Sequence, residues 1–483
     1  MAKLKNIIKQ LSDNDFQTIY DSLMESSADK SAYLLKSMRE KQMSDNAIMD
    51  ELGVNTNAYY TLRSRLNQKI EEYLLQQMES PRTDILKKVA NINEVIFTKK
   101  KGIAIATLKK LEKELIDYDL SNELTVVYKW LKKLHIHTPE NFNYSQQYNR
   151  YVAYMLAVDK AEDLLADYFR KYGNFLLSGE DTDKLGLQLL VKEMSNVSAL
   201  YDSHRLYVYQ SCMTVFHRLF VETAESYDEE VEALEDILDK VQEIFSNYSI
   251  DSTYFHLKIV FEFLTLEYYN HYRVYRKAES YFEEVNEDTS NLLMNYGLYT
   301  FPPQFLFTKI ARHLRLGKET QMWEENEALF QDFEVDTSDV PLFVSYYLYR
   351  SLSCYYIEKY DEAAQWLNNL LNEISLKKYP ITQMEIKTLL ALQYCLMRDF
   401  ELFSQLINSI QRQVRILGKE NFEHISILIK MMKTSLSDSK KDKYQKIELL
   451  AEKLKLVKND NFAPTKFIEM SDTFIKALSA DFF

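Results

Sequence analysis

Apolar residues recur every three to four positions over almost the whole chain, and the strict alternation that marks a half-buried strand hardly occurs. Leu108, Leu111 and Leu115 form one such stripe. Val231, Leu234, Ile237, Leu238 and Val241 form another, on a helix whose opposite face carries Glu and Asp. Pro81, Pro139, Pro302, Pro341 and Pro380 each follow or open an apolar-periodic segment, where a helix can start but cannot continue. The pattern predicts long helices joined by short polar loops.

The second half carries an internal repeat. The segment YYLYRSLSCYYIEKYDEAAQWLNNLLNEI, residues 346–374, predicts a first helix ending near Ile357 and a link from Glu358 to Asp361. A second helix then opens at Glu362 and carries Leu367 and Leu370. Small Ser351 on the first helix faces small Ala363 on the second, and small side chains let two helix axes approach to about 8–10 Å. Ala278 with Phe282 and Val285, Met322 with Leu329, and Phe403 with Ile407 and Ile410 repeat the theme. The second-helix landmarks 278, 322, 363 and 403 are spaced by 44, 41 and 40 residues.

These hairpins resemble the tetratricopeptide repeat, most clearly in KYDEAAQWL, over roughly residues 255–415. The spacing exceeds that family's period of about 34, so the units or their connections are longer than its standard. The expected fold is all-α: an α-solenoid of stacked helical hairpins, tetratricopeptide-like, preceded by a small helical N-terminal module. The expected division is a module over 1–80, poorly resolved hairpins over 81–250, repeats over 251–415 and capping helices over 416–483. Carrying the family's groove positions over residue by residue implies that Glu267, Asn270, Gln304 and Tyr355 face a bound peptide. These are polar or amphipathic groups in otherwise apolar helices, as hydrogen bonding to a ligand backbone requires.

Near the N-terminus, residues 43–70 read MSDNAIMDELGVNTNAYYTLRSRLNQKI. Ser44 suits a helix cap, Gly53 a positive φ at a helix end, and Asn55 or Thr56 the cap of a second helix with Tyr59, Leu62, Leu66 and Ile70 inward. This segment looks like the helix-turn-helix of sigma factors and related regulators. It departs from that motif at Met49, where a small residue is usual, and at Tyr59, which is larger than the usual branched aliphatic. If the second helix entered a major groove, Asn57, Tyr60, Thr61, Ser64 and Arg65 would point outward, with Arg63 and Lys69 toward flanking phosphates. The same residues also read as the solvated face of helices leading into the repeats.

Composition narrows the class. Only 8 Gly and 7 Pro occur, against roughly 34 and 24 at average usage for this length, so sheets with tight turns and glycine-rich phosphate loops are disfavoured. Three scattered cysteines, Cys212, Cys354 and Cys395, suit a reducing compartment. Asp13 and Asp15 arrive before any apolar signal core, and the longest uncharged stretch, 289–308, contains Asn291, Pro302 and Pro303. No membrane span is predicted, and a cytoplasmic location is expected.

Residues 1–115 carry 19 Lys/Arg against 16 Asp/Glu, a net of +3, while the remainder nets −16. An acidic body opposes broad nucleic-acid binding and leaves only residues 1–115 for DNA. Residues 1–80 alone carry 10 Lys/Arg against 12 Asp/Glu, and Lys87, Lys88, Lys99–Lys101, Lys109 and Lys110 supply the basic stretch. No metal-ligand spacing, nucleophile constellation or cofactor motif stands out. His135 and His137, two apart, do not share a helix face. The expectation is therefore a non-enzymatic scaffold without a cofactor, holding a neutral or basic protein or peptide segment. The alternative is a DNA-binding transcriptional regulator whose repeats sense or dimerise. Helix-turn-helix followed by such repeats is similar to the order in bacterial peptide-sensing regulators.

Overall fold

The computed structural model describes residues 4, 8, 11, 13–26, 28–39, 45–77, 81–222, 232–248, 254–295, 303–330, 333, 335–418, 422–436, 443–457 and 463–480. Ser44, Val231, Pro302 and the terminal Phe482–Phe483 lie outside them. Among the described residues the secondary structure is helical, with no strand, and no helix is long and apolar enough to cross a membrane. The chain divides into two compact units, residues 1–155 and 156–483.

The first unit holds α1 (Asp13–Glu25), α2 (Asp29–Arg39), α3 (Asp45–Leu52), α4 (Thr56–Gln77), α5 (Pro81–Ala90), α6 (Ile92–Thr98), α7 (Lys101–Asp117) and α8 (Ser121–Leu134). The division falls within the long α9 (Glu140–Ser178). Two separate apolar clusters build this unit. Ile19, Leu34, Leu35, Ile48, Tyr59 and Leu66 belong to one, and the predicted stripe Leu108, Leu111 and Leu115 joins Leu124, Val127 and Leu131 in the other.

The second unit continues with α10 (Asp181–Ser198), α11 (His204–Phe220), α12 (Leu234–Asn247), α13 (Tyr254–His271), α14 (Tyr275–Asn295), α15 (Gln304–Leu316), α16 (Glu319–Leu329), α17 (Val340–Tyr356) and α18 (Tyr360–Glu373). It ends with α19 (Pro380–Leu396), α20 (Phe400–Leu417), α21 (Glu423–Ser435), α22 (Lys443–Leu456), a 3-10 turn (Pro464–Phe467) and α23 (Asp472–Ser479). Local chemistry sets several starts. Asp339 and Asp399 accept the Leu342 and Leu402 N–H groups at 3.1 Å, and Pro341 and Pro380 occupy first-turn positions that need no donor.

Four hairpins share one turn. Arg273, Gly317, Glu358 and Arg398 all have φ between +58° and +64°. The next N–H reaches back five residues each time: Val274 to Tyr269, Lys318 to His313, Lys359 to Cys354 and Asp399 to Tyr394, at 2.8–3.0 Å. A left-handed residue closed by such a bond is a helix C-cap that reverses the chain. The four turns are spaced 44, 41 and 40 residues apart, the same intervals as the second-helix landmarks, each five residues downstream. Those landmarks, Ala278, Met322, Ala363 and Phe403, are all buried.

The link in the third hairpin is shorter than the sequence predicts. α18 starts at Tyr360 because Lys359 O already accepts the Ala363 N–H at 3.0 Å. Ser351 and Ala363 do meet: the Ser351 hydroxyl donates to Ala363 O at 2.9 Å, and both residues are buried. Ala363→Leu therefore forces three extra carbons into a full crossing. A loss of about 1–3 kcal/mol is expected in denaturant unfolding; an unchanged midpoint would place the crossing elsewhere. At another close approach, a Cβ on Gly173 would stand 2.8 Å from Pro341 Cγ, so any larger residue there forces α9 and Pro341 apart.

Candidate functional site

In the first unit, Gly53 adopts φ +59°, and Val54 N–H reaches Met49 O at 3.2 Å, so α3 ends in the same kind of turn as the later hairpins. Asn55 Oδ1 accepts the Ala58 N–H at 2.9 Å and caps α4. Ile48, Tyr59, Leu66 and Ile70 are buried against α1 and α2, while Met49 and Leu62 border the same cluster half-buried. Met49 thus stands at the rim of the core and not at its centre. Of the residues assigned to DNA contact, Tyr60, Thr61, Ser64 and Arg65 are exposed on one side of α4, and Arg63 and Lys69 are half-buried. The Asn57 side chain lies outside the described residues.

In the second unit, three of the four groove residues come together. Glu267 and Asn270 stand one turn apart on α13, and Gln304 is the first residue of α15. Glu267 Oε1 accepts from Thr308 Oγ1 at 2.8 Å and from Asn270 Nδ2 at 3.2 Å. Thr308 lies one turn beyond Gln304, so it ties the two helices at this point. Burial pushes the Glu267 carboxyl up to about 7, against the opposing effect of those two hydrogen bonds. The buried Tyr172 phenol of α9 belongs to the same interior. Burial raises its pKa, and Glu267 adds to that rise while Gln304 opposes it.

Gln304 is only 7% exposed, and its amide stands in the interior beside the Tyr172 phenol as a hydrogen-bonding neighbour. An amide that meets a single phenol uses only part of its donor and acceptor capacity, and a ligand backbone can take up the rest. Tyr355 sits apart from these three, with its ring 5.3 Å from Tyr356 and 6.1 Å from Tyr360.

Several buried polar groups escaped the sequence reading. Lys309, 1% exposed, donates at 2.7 Å to both Asn286 Oδ1 and Glu325 Oε2. Burial lowers the Lys309 pKa, with Glu325 opposing. Buried Asn326 accepts from Tyr349 at 2.6 Å and donates to Ser353 at 3.0 Å, joining α16 to α17. Glu385, fully buried on α19, binds His424 of α21 and Thr465 of the 3-10 turn. Burial pushes the Cys212 thiol up to about 12 and the Cys354 and Cys395 thiols to about 11. Thiols held neutral in this way are poor nucleophiles. No family model, curated protein or solved structure matches the chain.

Proposed function

We propose that this chain is a non-enzymatic scaffold of tetratricopeptide-like hairpins that holds a segment of a neutral or basic protein or peptide. One observation carries the reading: Glu267, Asn270 and Gln304 converge as polar groups in one apolar interior, with Gln304 buried beside Tyr172. An extended peptide backbone offers donors and acceptors to such a cluster. The charge of the chain outside residues 1–115 favours such a partner if it is not acidic. The buried cysteines fit work in a reducing cytoplasm.

The test is capture of partners from the native cell, with nuclease treatment as a control, followed by affinity measurement. Asn270→Ala combined with Gln304→Ala should weaken binding at least tenfold while the helical signal is kept. Unaltered affinity would move the binding site off this face, and Tyr355→Ala would then be the next variant to measure.

A second reading, a transcriptional regulator, is favoured by the exposed row Tyr60, Thr61, Ser64 and Arg65 beside a capped two-helix turn. There the partner in the captured complex would be nuclease-sensitive. The full chain would shift duplex DNA at low salt, less so with Arg63→Ala and Arg65→Ala. No shift at low salt would remove that reading.

A further inference from the structure

A second concavity, open to the surface, lies between α12, α13 and α14. It is lined by the carboxylates Glu235, Asp239 and Glu262 and by the rings Tyr268, Tyr269 and Tyr281. Tyr269 and Tyr281 stack at 5.9 Å, and Tyr268 meets Tyr269 edge-on at 5.3 Å.

Three carboxylates line the cleft. Tyr268 donates to Glu235 Oε2 at 3.4 Å. Burial raises the Tyr281 pKa first, and the nearby Asp239 and Glu262 charges raise it further. The neighbouring cations are peripheral. Lys258, 56% exposed, stands 3.8 Å from Glu262, and Lys277 Nζ lies 5.0 Å from the Tyr269 ring centroid. That second contact shows a ring of this cleft already facing a cation, independently of the acids that line it.

We propose that this cleft receives an arginine side chain of the bound segment. A guanidinium is planar, stacks on tyrosine faces and pairs with a carboxylate through two parallel hydrogen bonds. Aromatic rings and carboxylates lining one cleft offer both contacts in one place. An acidic side chain would be repelled by Glu235, Asp239 and Glu262. The proposal rests on the peptide-holding reading above and assigns one residue of the ligand.

The probe is a set of capped five-residue peptides, alanine throughout except for a central arginine, lysine or citrulline, titrated into the full chain and followed by tyrosine resonances in NMR. Citrulline keeps the shape of arginine and removes its charge. The arginine peptide should bind at least tenfold more tightly than the citrulline peptide, with lysine between them, and should weaken as salt rises. Asp239→Asn with Glu262→Gln should abolish that preference in a chain that keeps its helical signal. Equal binding of arginine and citrulline, or an unchanged preference in the double variant, would overturn the proposal. If a captured partner still depends on Asn270 and Gln304 while no arginine peptide binds, the cleft assignment fails alone. If neither dependence is seen, both readings fail.

Discussion

Glu385→Ala is expected to destabilise the second unit by about 3–5 kcal/mol, the range for removing one partner from a buried charged or hydrogen-bonded cluster. Glu385 is fully buried in α19. Its Oε2 accepts the Thr465 N–H at 3.1 Å and the Thr465 hydroxyl at 2.7 Å, and its Oε1 meets His424 Nε2. One carboxyl therefore satisfies groups from α21 and from the 3-10 turn, 80 residues away. Alanine would leave those groups buried without an acceptor, each at about 1–3 kcal/mol. The loss should be local first. Hydrogen exchange should speed up over residues 463–480 before it does in α17 and α18. Glu385→Gln should recover much of the loss, because its amide oxygen can still accept from Thr465 and the imidazole of His424 can change tautomer. A cost for alanine below about 1 kcal/mol would show that this carboxyl does not tie the C-terminal turn to α19.

The contrast between the hairpins and this network explains what the sequence can show. Helical periodicity and small residues are local signals, so the pairing of Ser351 with Ala363 is legible in the sequence. The turns were harder. Among these turns Gly317 and Gly53 announce a positive φ, whereas Arg273, Glu358 and Arg398 adopt the same conformation without glycine. There the five-residue hydrogen bond and the packing of the following helix outweigh the local preference, and the equal spacing becomes visible only in backbone angles. The Glu385 network joins residues on three distant segments, and nothing in the periodicity of α19 marks Glu385 as different from a solvated acid.

The candidate site divides the same way. The resemblance to the tetratricopeptide groove points to Glu267, Asn270 and Gln304, and they meet through Thr308, which the resemblance does not mark. Tyr355 satisfied the same rule but packs with Tyr356 and Tyr360. The acidic and aromatic cleft was half legible. The tyrosine run at 268–269 and the acidic face of α12 were both evident, but which helix α12 lies against is a tertiary fact.

Glu267→Gln should stabilise the protein strongly at alkaline pH and little in acid. The carboxyl's ordinary value of 4.5 is pushed up to about 7 by burial in the folded chain. Above 4.5 the unfolded chain gives up this proton, while the folded chain keeps it until pH nears 7. Stability from this group therefore falls as pH rises through that window and stays lowered above it. Integrated over the window, the cost is about 3 kcal/mol at pH 8 and under about 1 kcal/mol at pH 5. Glutamine cannot ionise, and its oxygen keeps the acceptor role toward Thr308 and Asn270. His217 and His256 act in the opposite sense. Burial lowers both to about 4, so each favours the folded state less as pH falls below the ordinary histidine value of about 6.5. They are present in both proteins, and the difference between variant and parent at each pH cancels them. Denaturant unfolding of the two proteins at pH 5, 6, 7 and 8 should give a difference that grows steadily with pH. An equal difference at pH 5 and pH 8 would mean that Glu267 ionises normally in the folded chain. The interior between α13 and α15 would then be open to water around Glu267, Asn270 and Gln304.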